Sequence, residues 1–165
     1  MSVHHPPHRG ELLVQSERGF GQIDTYKYAK PGIPPDMVFF LTGLPFLPVA
    51  TLDHRNRPWT SLLSSSEGRT GFAHGSKSAE TDNVHLEVDI PEGTPIKVLL
   101  DRLDKHPSPL QDKTELFAML GVDLSNRRRN KFDGWLLGAS QDKLTKRWML
   151  SVQVRSTLGN CPKCE

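Results

Sequence analysis

Two thiols near the end of the chain, in Cys161-Pro-Lys-Cys164, have the spacing of a redox pair or of half a zinc site. A thioredoxin-like pair needs a helix amino terminus to lower the pKa of its first thiol. Here the alternation of Trp148, Leu150, Val152 and Val154 predicts a final strand in front of it. A structural zinc site needs four ligands, and the chain has no other cysteine pair. His4, His5 and His8 are a second set of metal-ligating types, but they sit in MSVHHPPHR, which has no periodicity to hold them in place. No metal site is expected.

Three other stretches carry useful chemistry. Asn126-Arg127-Arg128-Arg129-Asn130-Lys131 puts four cations in six residues. Such runs are commonly solvated turns. This one lies between apolar segments, where guanidinium groups repel each other unless some point at an anion, and their paired donors suit a phosphate. Trp59-Thr60-Ser61-Leu62-Leu63 reads as an ordinary strand whose hydroxyls and main chain also suit a planar ring lying along a sheet. Gly71 to Ser78 is rich in small residues and holds Lys77, without the spacing of a phosphate loop before a helix. His54 and His74 are candidate proton donors that read more simply as turn or surface residues.

The elements around these stretches are mostly strands. Glu11 to Arg18 predicts a short helix ended by Gly19-Phe20-Gly21, and Pro34-Pro35-Asp36 starts a second one that Gly43 to Pro45 stops. Leu47–Leu52 and Pro58–Ser64 form a hairpin around His54-Arg-Asn-Arg57. Glu67-Gly68-Arg69 makes the next turn, before a run from Thr70 to His74. Val84, Leu86, Val88 and Ile90 alternate with polar residues, the period of a strand with one buried face. Ile96, Leu99, Leu100 and Leu103 fall at i, i+3, i+4 and i+7, the stripe of an amphipathic helix. Leu116 to Leu124 is ambiguous between helix and strand, and a polar stretch then leads into Trp135 to Ala139. Six or so short strands point to a small barrel or sandwich, and the barrel is favoured because closure removes exposed edges.

At 165 residues the chain reads as one domain, residues 10–165, behind a disordered tail at 1–9. A net charge of +2 is too mild for a nucleic-acid partner. No run approaches the ~20 apolar residues of a membrane span, and the first residues lack the apolar core of a signal peptide. The expectation is a soluble, cytoplasmic protein.

Taken in order, GELLVQSERG, FLPVATLDHRNRPWTSLL, LGVDLSNRRRNKFDGWL and VQVRSTLGNCPK resemble the pyridoxamine 5'-phosphate oxidase-like family of flavin-binding split barrels, over roughly residues 10 to 163. The resemblance implies a mainly β fold with a few helices, a six-stranded Greek-key split barrel, paired as a homodimer with FMN at the subunit interface. FAD or a deazaflavin is the less favoured cofactor. Carried over by position, Trp59, Thr60, Ser61 and Leu62 resemble the strand beside the flavin ring, with Thr60 and Ser61 hydrogen-bonding it. Arg127, Arg128, Arg129 and Asn130 resemble the basic segment that meets the cofactor. Asn160, Cys161 and Lys163 resemble the segment that closes over it, with Lys163 toward the phosphate. SSSEGRTGF is longer and more polar than the matching connection in relatives, Cys164 stands where they carry an aromatic, and the arginine and histidine pattern of the vitamin B6 oxidases is not evident. The implied activity is hydride or electron transfer between the flavin and a nicotinamide, NAD(P)H, or a small organic substrate, with no catalytic residue assigned. The other readings are a flavin- or haem-binding module without turnover, and an empty barrel used for protein interaction.

Overall fold

In the computed structural model, which describes residues 7–20, 28–75, 82–105 and 115–160, three helices and eight strands follow in the order α1 (Arg9–Glu17), β1 (Lys30–Pro31), α2 (Pro35–Thr42), β2 (Leu47–Leu52), β3 (Pro58–Leu63), β4 (Ala73–Gly75), β5 (Asn83–Val88), α3 (Pro95–Lys105), β6 (Leu116–Asp123), β7 (Arg128–Gln141) and β8 (Trp148–Asn160). The strands form one antiparallel sheet in the order β3-β2-β6-β7-β8-β5-β4, with β1 also paired to β8. The expected six strands are therefore eight. The six long ones carry the sheet, and β1 and β4, two and three residues long, are additions too short to show a period. Beyond β3, Ser64 bridges Asp89 beyond β5, so the two flanks of the six-strand path meet. β6, β7 and β8 form a meander, and β5 reaches β6 through α3 while lying beside β8, which is Greek-key connectivity.

Alternation decides the core. Val84, Leu86 and Val88 of β5, Phe117 and Met119 of β6, Phe132 and Leu136 of β7 and Leu150, Val152 and Val154 of β8 all point inward and are buried. Met37, Phe40 and Leu41 of α2 fill the end where β6 turns into β7, and the ring of Phe40 rests where a Cβ on Gly121 would lie only 2.5 Å from it. Near the β2–β3 hairpin, α3 buries Ile96, Leu99 and Leu100 and half-buries Leu103, the predicted stripe. Leu116–Asp123, ambiguous in sequence, is a strand because β2 and β7 flank it on both sides. A bulge bends β8 over β7: Asp133 pairs with Ser156 and Gly134 with Val154, leaving Arg155 extra. Gly134 is required there, since a Cβ would stand 1.8 Å from the carbonyl oxygen of Gln153.

The helix expected from Glu11 begins earlier, at Arg9, where the Nδ1 of His8 accepts the N–H of Gly10. Residues 1–6, most of the expected tail, lie outside the described residues.

Three hairpins use one device. Asp53, Asp123 and Asp142 each accept the main-chain N–H two residues on, from Arg55, Ser125 and Leu144, and each turn then takes a positive φ at Asn56, Arg127 or Lys146. Hydrogen bonds hold all three carboxyls below the usual carboxylate range, the leading donors being the N–H of Arg57 for Asp53, the hydroxyl of Ser125 for Asp123 and the N–H of Thr145 for Asp142. A carboxyl with a depressed folded-state pKa stabilises the fold fully above its unfolded value, about 3.9, and loses that contribution as pH falls. Thermal melts across pH 2 to 7 should therefore show Asp53→Asn less stable than the parent chain at neutral pH, with the gap narrowing steadily as pH falls below about 4. Parallel curves would sink this account of the β2–β3 turn.

Candidate functional site

Alternation along β3 separates the residues of the Trp59–Leu62 motif. Thr60 and Leu62 point to the outer face of the sheet, whereas Ser61 and Leu63 are buried inside. Consecutive strand residues face opposite ways, so Thr60 and Ser61 cannot offer their hydroxyls to one face of a ring, which corrects that part of the sequence reading. The Oγ of Ser61 instead accepts the N–H of Ile96 at 3.2 Å and caps the first turn of α3. Ser61→Ala would leave that buried N–H unpaired, a loss of about 1–3 kcal/mol readable by denaturant melts. An unchanged melt would mean that α3 does not depend on this contact.

Trp59 lies elsewhere again. Its indole N–H donates to Asp53 at 3.1 Å, the guanidinium of Arg57 lies 5.8 Å from its ring centroid, and the ring borders a cleft of about 330 Å³ between the β2–β3 hairpin and α3.

The same alternation sorts the basic run. Arg127 is in the turn with φ 60°. Arg128 leans on α2, with its guanidinium carbon 4.7 Å from the Phe40 centroid and its Nη2 3.6 Å from Asp36, so it serves packing. Asn130 points inward, 1% exposed, and its Nδ2 finds no partner among the described residues. Arg129 and Lys131 face outward and are exposed, and neither has an ion-pair partner among the described residues. Asn160 ends β8 in register with Arg129. Cys161 and Lys163 lie outside the described residues.

The outer face that receives Thr60, Leu62, Arg129 and Lys131 has its own pattern. One row crosses five strands in register: Thr60, Ala50, Ala118, Asp133 and Ser156. Beside it Leu62 faces Pro48, and Lys131 sits between Leu120 and Leu158. The small side chains in the middle of the first row keep the floor low. A cavity of about 700 Å³ stands over it, lined by residues of both rows and approached from α1 by His8 and Glu11. Asp133 is neutralised in place, taking the Nε and Nη2 of Arg155 at 2.8 and 2.5 Å and the hydroxyl of Ser156. Of the sequence candidates among the described residues, only Thr60 lines this cavity.

Sequence reading missed Lys131 as a site residue of its own, and with it Ala50, Ala118, Asp133 and Arg155. The signal was available for two of them. Once Phe132 is taken as core, Lys131 and Asp133 must both face out, whereas the bulge that places Arg155 has no local mark except Gly134.

A volume of 700 Å³ is in the range of small-molecule and cofactor sites. An apolar floor with the hydroxyl of Thr60 at one side and Lys131 at another suits a flat, partly apolar ligand that carries an anionic group. Among the described residues no set of three His, Cys, Asp or Glu side chains converges, and no helix is long and apolar enough to cross a membrane.

No family model matches the chain, and no curated protein matches it. Among solved structures, a HupZ variant from Group A Streptococcus aligns over 78% of this chain and 99% of its own, at 11% identity and a TM-score of 0.47. An F420 reductase aligns over 76% and 98%, at 11% identity and a TM-score of 0.48. At that distance neither likeness bears on the site residues or their chemistry.

Proposed function

We propose that the chain is a flavin-dependent oxidoreductase of the pyridoxamine 5'-phosphate oxidase-like type, a split barrel that holds FMN on the outer face of β2, β3, β6, β7 and β8 and works as a homodimer. The observation that carries this reading is the 700 Å³ cavity over the small-residue row, on the same face as Thr60 and Lys131. The four ordered sequence segments that resemble this family support the choice of flavin among flat anionic ligands.

The residues present fit the group. Ala50 and Ala118 leave room for a planar ring against the sheet, and Thr60 brings a hydroxyl to its edge. Lys131 and Arg129, both exposed and on the same face, suit a phosphate. When bound, the flavin supplies hydride and electron transfer. The protein's part is then to bind, orient and shield it. The apolar residues Pro48, Leu120 and Leu158 exclude water from one side, and Asp133, tied to Arg155 and Ser156, keeps the β7–β8 wall rigid. A second copy over this face would complete the shielding.

Absorbance titration of the purified chain with FMN, followed by anaerobic NADH or NADPH, tests the reading. Saturable binding followed by bleaching of the flavin band is the expected result, and the donor that bleaches it is the physiological class. Binding without bleaching by either nicotinamide would overturn the nicotinamide-linked activity in favour of a carrier or of another reductant. Absence of binding would overturn the flavin.

A further inference from the structure

Past Trp135 the outer face runs onto β8, β5 and β4, away from the cavity. There β4 sets His74 directly opposite His85 of β5, with ring centroids 5.8 Å apart and planes tilted by 37°. Both imidazoles are half-buried, and among the described residues that ring contact is their only side-chain interaction. Two residues earlier on the same face of β5, Asn83 pairs with Gln153 of β8. The Oδ1 of Asn83 and the Oε1 of Gln153 are both buried without a hydrogen-bond partner. Directly opposed residues in an antiparallel pair have Cβ atoms about 4.5–5.5 Å apart, and residues two apart on one strand are separated by about 6.5–7 Å. Imidazole nitrogens and two unpartnered carboxamide oxygens thus occupy neighbouring positions on one face of the sheet.

We propose that His74 and His85, with the carboxamide oxygen of Asn83, bind a divalent transition-metal cation of the zinc class. Zinc–imidazole bonds are about 2.0–2.1 Å, which puts the centroids of two rings sharing one ion about 5–6 Å apart, the separation that β4 and β5 impose. Imidazole favours zinc, copper and nickel over magnesium and calcium, and a carboxamide oxygen with water completes the coordination of a site built on two histidines. Glu87 lies on the same face but is occupied by Arg147 at 3.0 Å, so it is not counted as a ligand. The ion would fasten β4, a three-residue edge strand, to β5. Beside His74, Gly75 packs against Val38 of α2 so tightly that a Cβ would lie 2.6 Å from it, so the ion would also hold the seat of that helix.

Calorimetric titration of the full chain with zinc chloride, and with magnesium chloride for comparison, tests the site. Because His4, His5, Cys161 and Cys164 offer other thiols and imidazoles, the parent for the series carries His4→Ala, His5→Ala, Cys161→Ser and Cys164→Ser. One zinc ion per chain should bind to this parent and no magnesium. His74→Ala and His85→Ala should each weaken zinc binding at least about tenfold. Zinc should also raise the melting temperature of the parent and not of His74→Ala, whose change on an edge strand leaves the core untouched. Loss of all zinc binding in the parent, or equal binding by the parent and His74→Ala, would overturn the proposal.

Discussion

Ala118→Trp should lower FMN affinity by at least about a hundredfold, roughly 2.7 kcal/mol, while the chain remains folded. Ala118 is exposed at the centre of the row Thr60, Ala50, Ala118, Asp133 and Ser156, on the floor of the large cavity. An indole there would occupy the space above the sheet without entering the core, because its neighbours Phe117 and Met119 point the other way. Fluorescence or absorbance titration gives the affinity, and circular dichroism confirms the fold. Sedimentation of the same variant reports on the homodimer. Unchanged FMN binding by a folded Ala118→Trp chain would move the flavin off this face. Ser61→Ala is the matching control, since its hydroxyl serves α3 from inside the sheet and its loss should reduce stability with no effect on flavin affinity.

The second large effect is on stability. Phe132 is 2% exposed and sits in β7 between Met119 of β6 and Thr157 of β8, so its ring has packing partners on both flanks. Phe132→Ala should cost about 3–5 kcal/mol, through lost burial and through the cavity left behind. For a domain of this size that is a fall in melting temperature of roughly 6–20 °C, a large part of the whole stability of an ordinary domain. Differential scanning calorimetry measures it. A shift under about 2 °C would mean that the interior of the sheet is looser than its packing indicates.

How much of this was legible in sequence depends on period and partner. The stripe of Ile96, Leu99, Leu100 and Leu103 and the alternation of Val84 to Val88 are local signals, and both elements fold as they read. The start of β7 was not legible. Asn126 to Lys131 looks like a uniform polar run, although Arg128 and Asn130 turn inward while Arg129 and Lys131 face out, and that division appears only when Phe132 sets the inward parity. The inward turn of Ser61 was missed for a related reason. Hydroxyls at 60 and 61 looked equivalent, whereas Leu63 already determines which of them shares its face. β1 and β4 are held by neighbours across the sheet and have too few residues to announce themselves. Lys131 was noted as one charge in a run, and its role as a residue of the cavity emerges from the register with Leu120 and Leu158.

The Ser64–Asp89 bridge, where the two flanks of the sheet meet, sets an order of release. β7 and β8 are paired along most of their length, whereas β3 and β5 are joined beyond their ends by this one bridge, in which the N–H of Asp89 donates to Ser64 at 3.2 Å. In native-state hydrogen exchange, the amide of Asp89 should escape through a local opening that leaves the meander intact, while amides inside β7 and β8 should wait for the whole domain to open. The ring of strands therefore has a clasp, and the chain can part there and reclose without losing the memory of its fold.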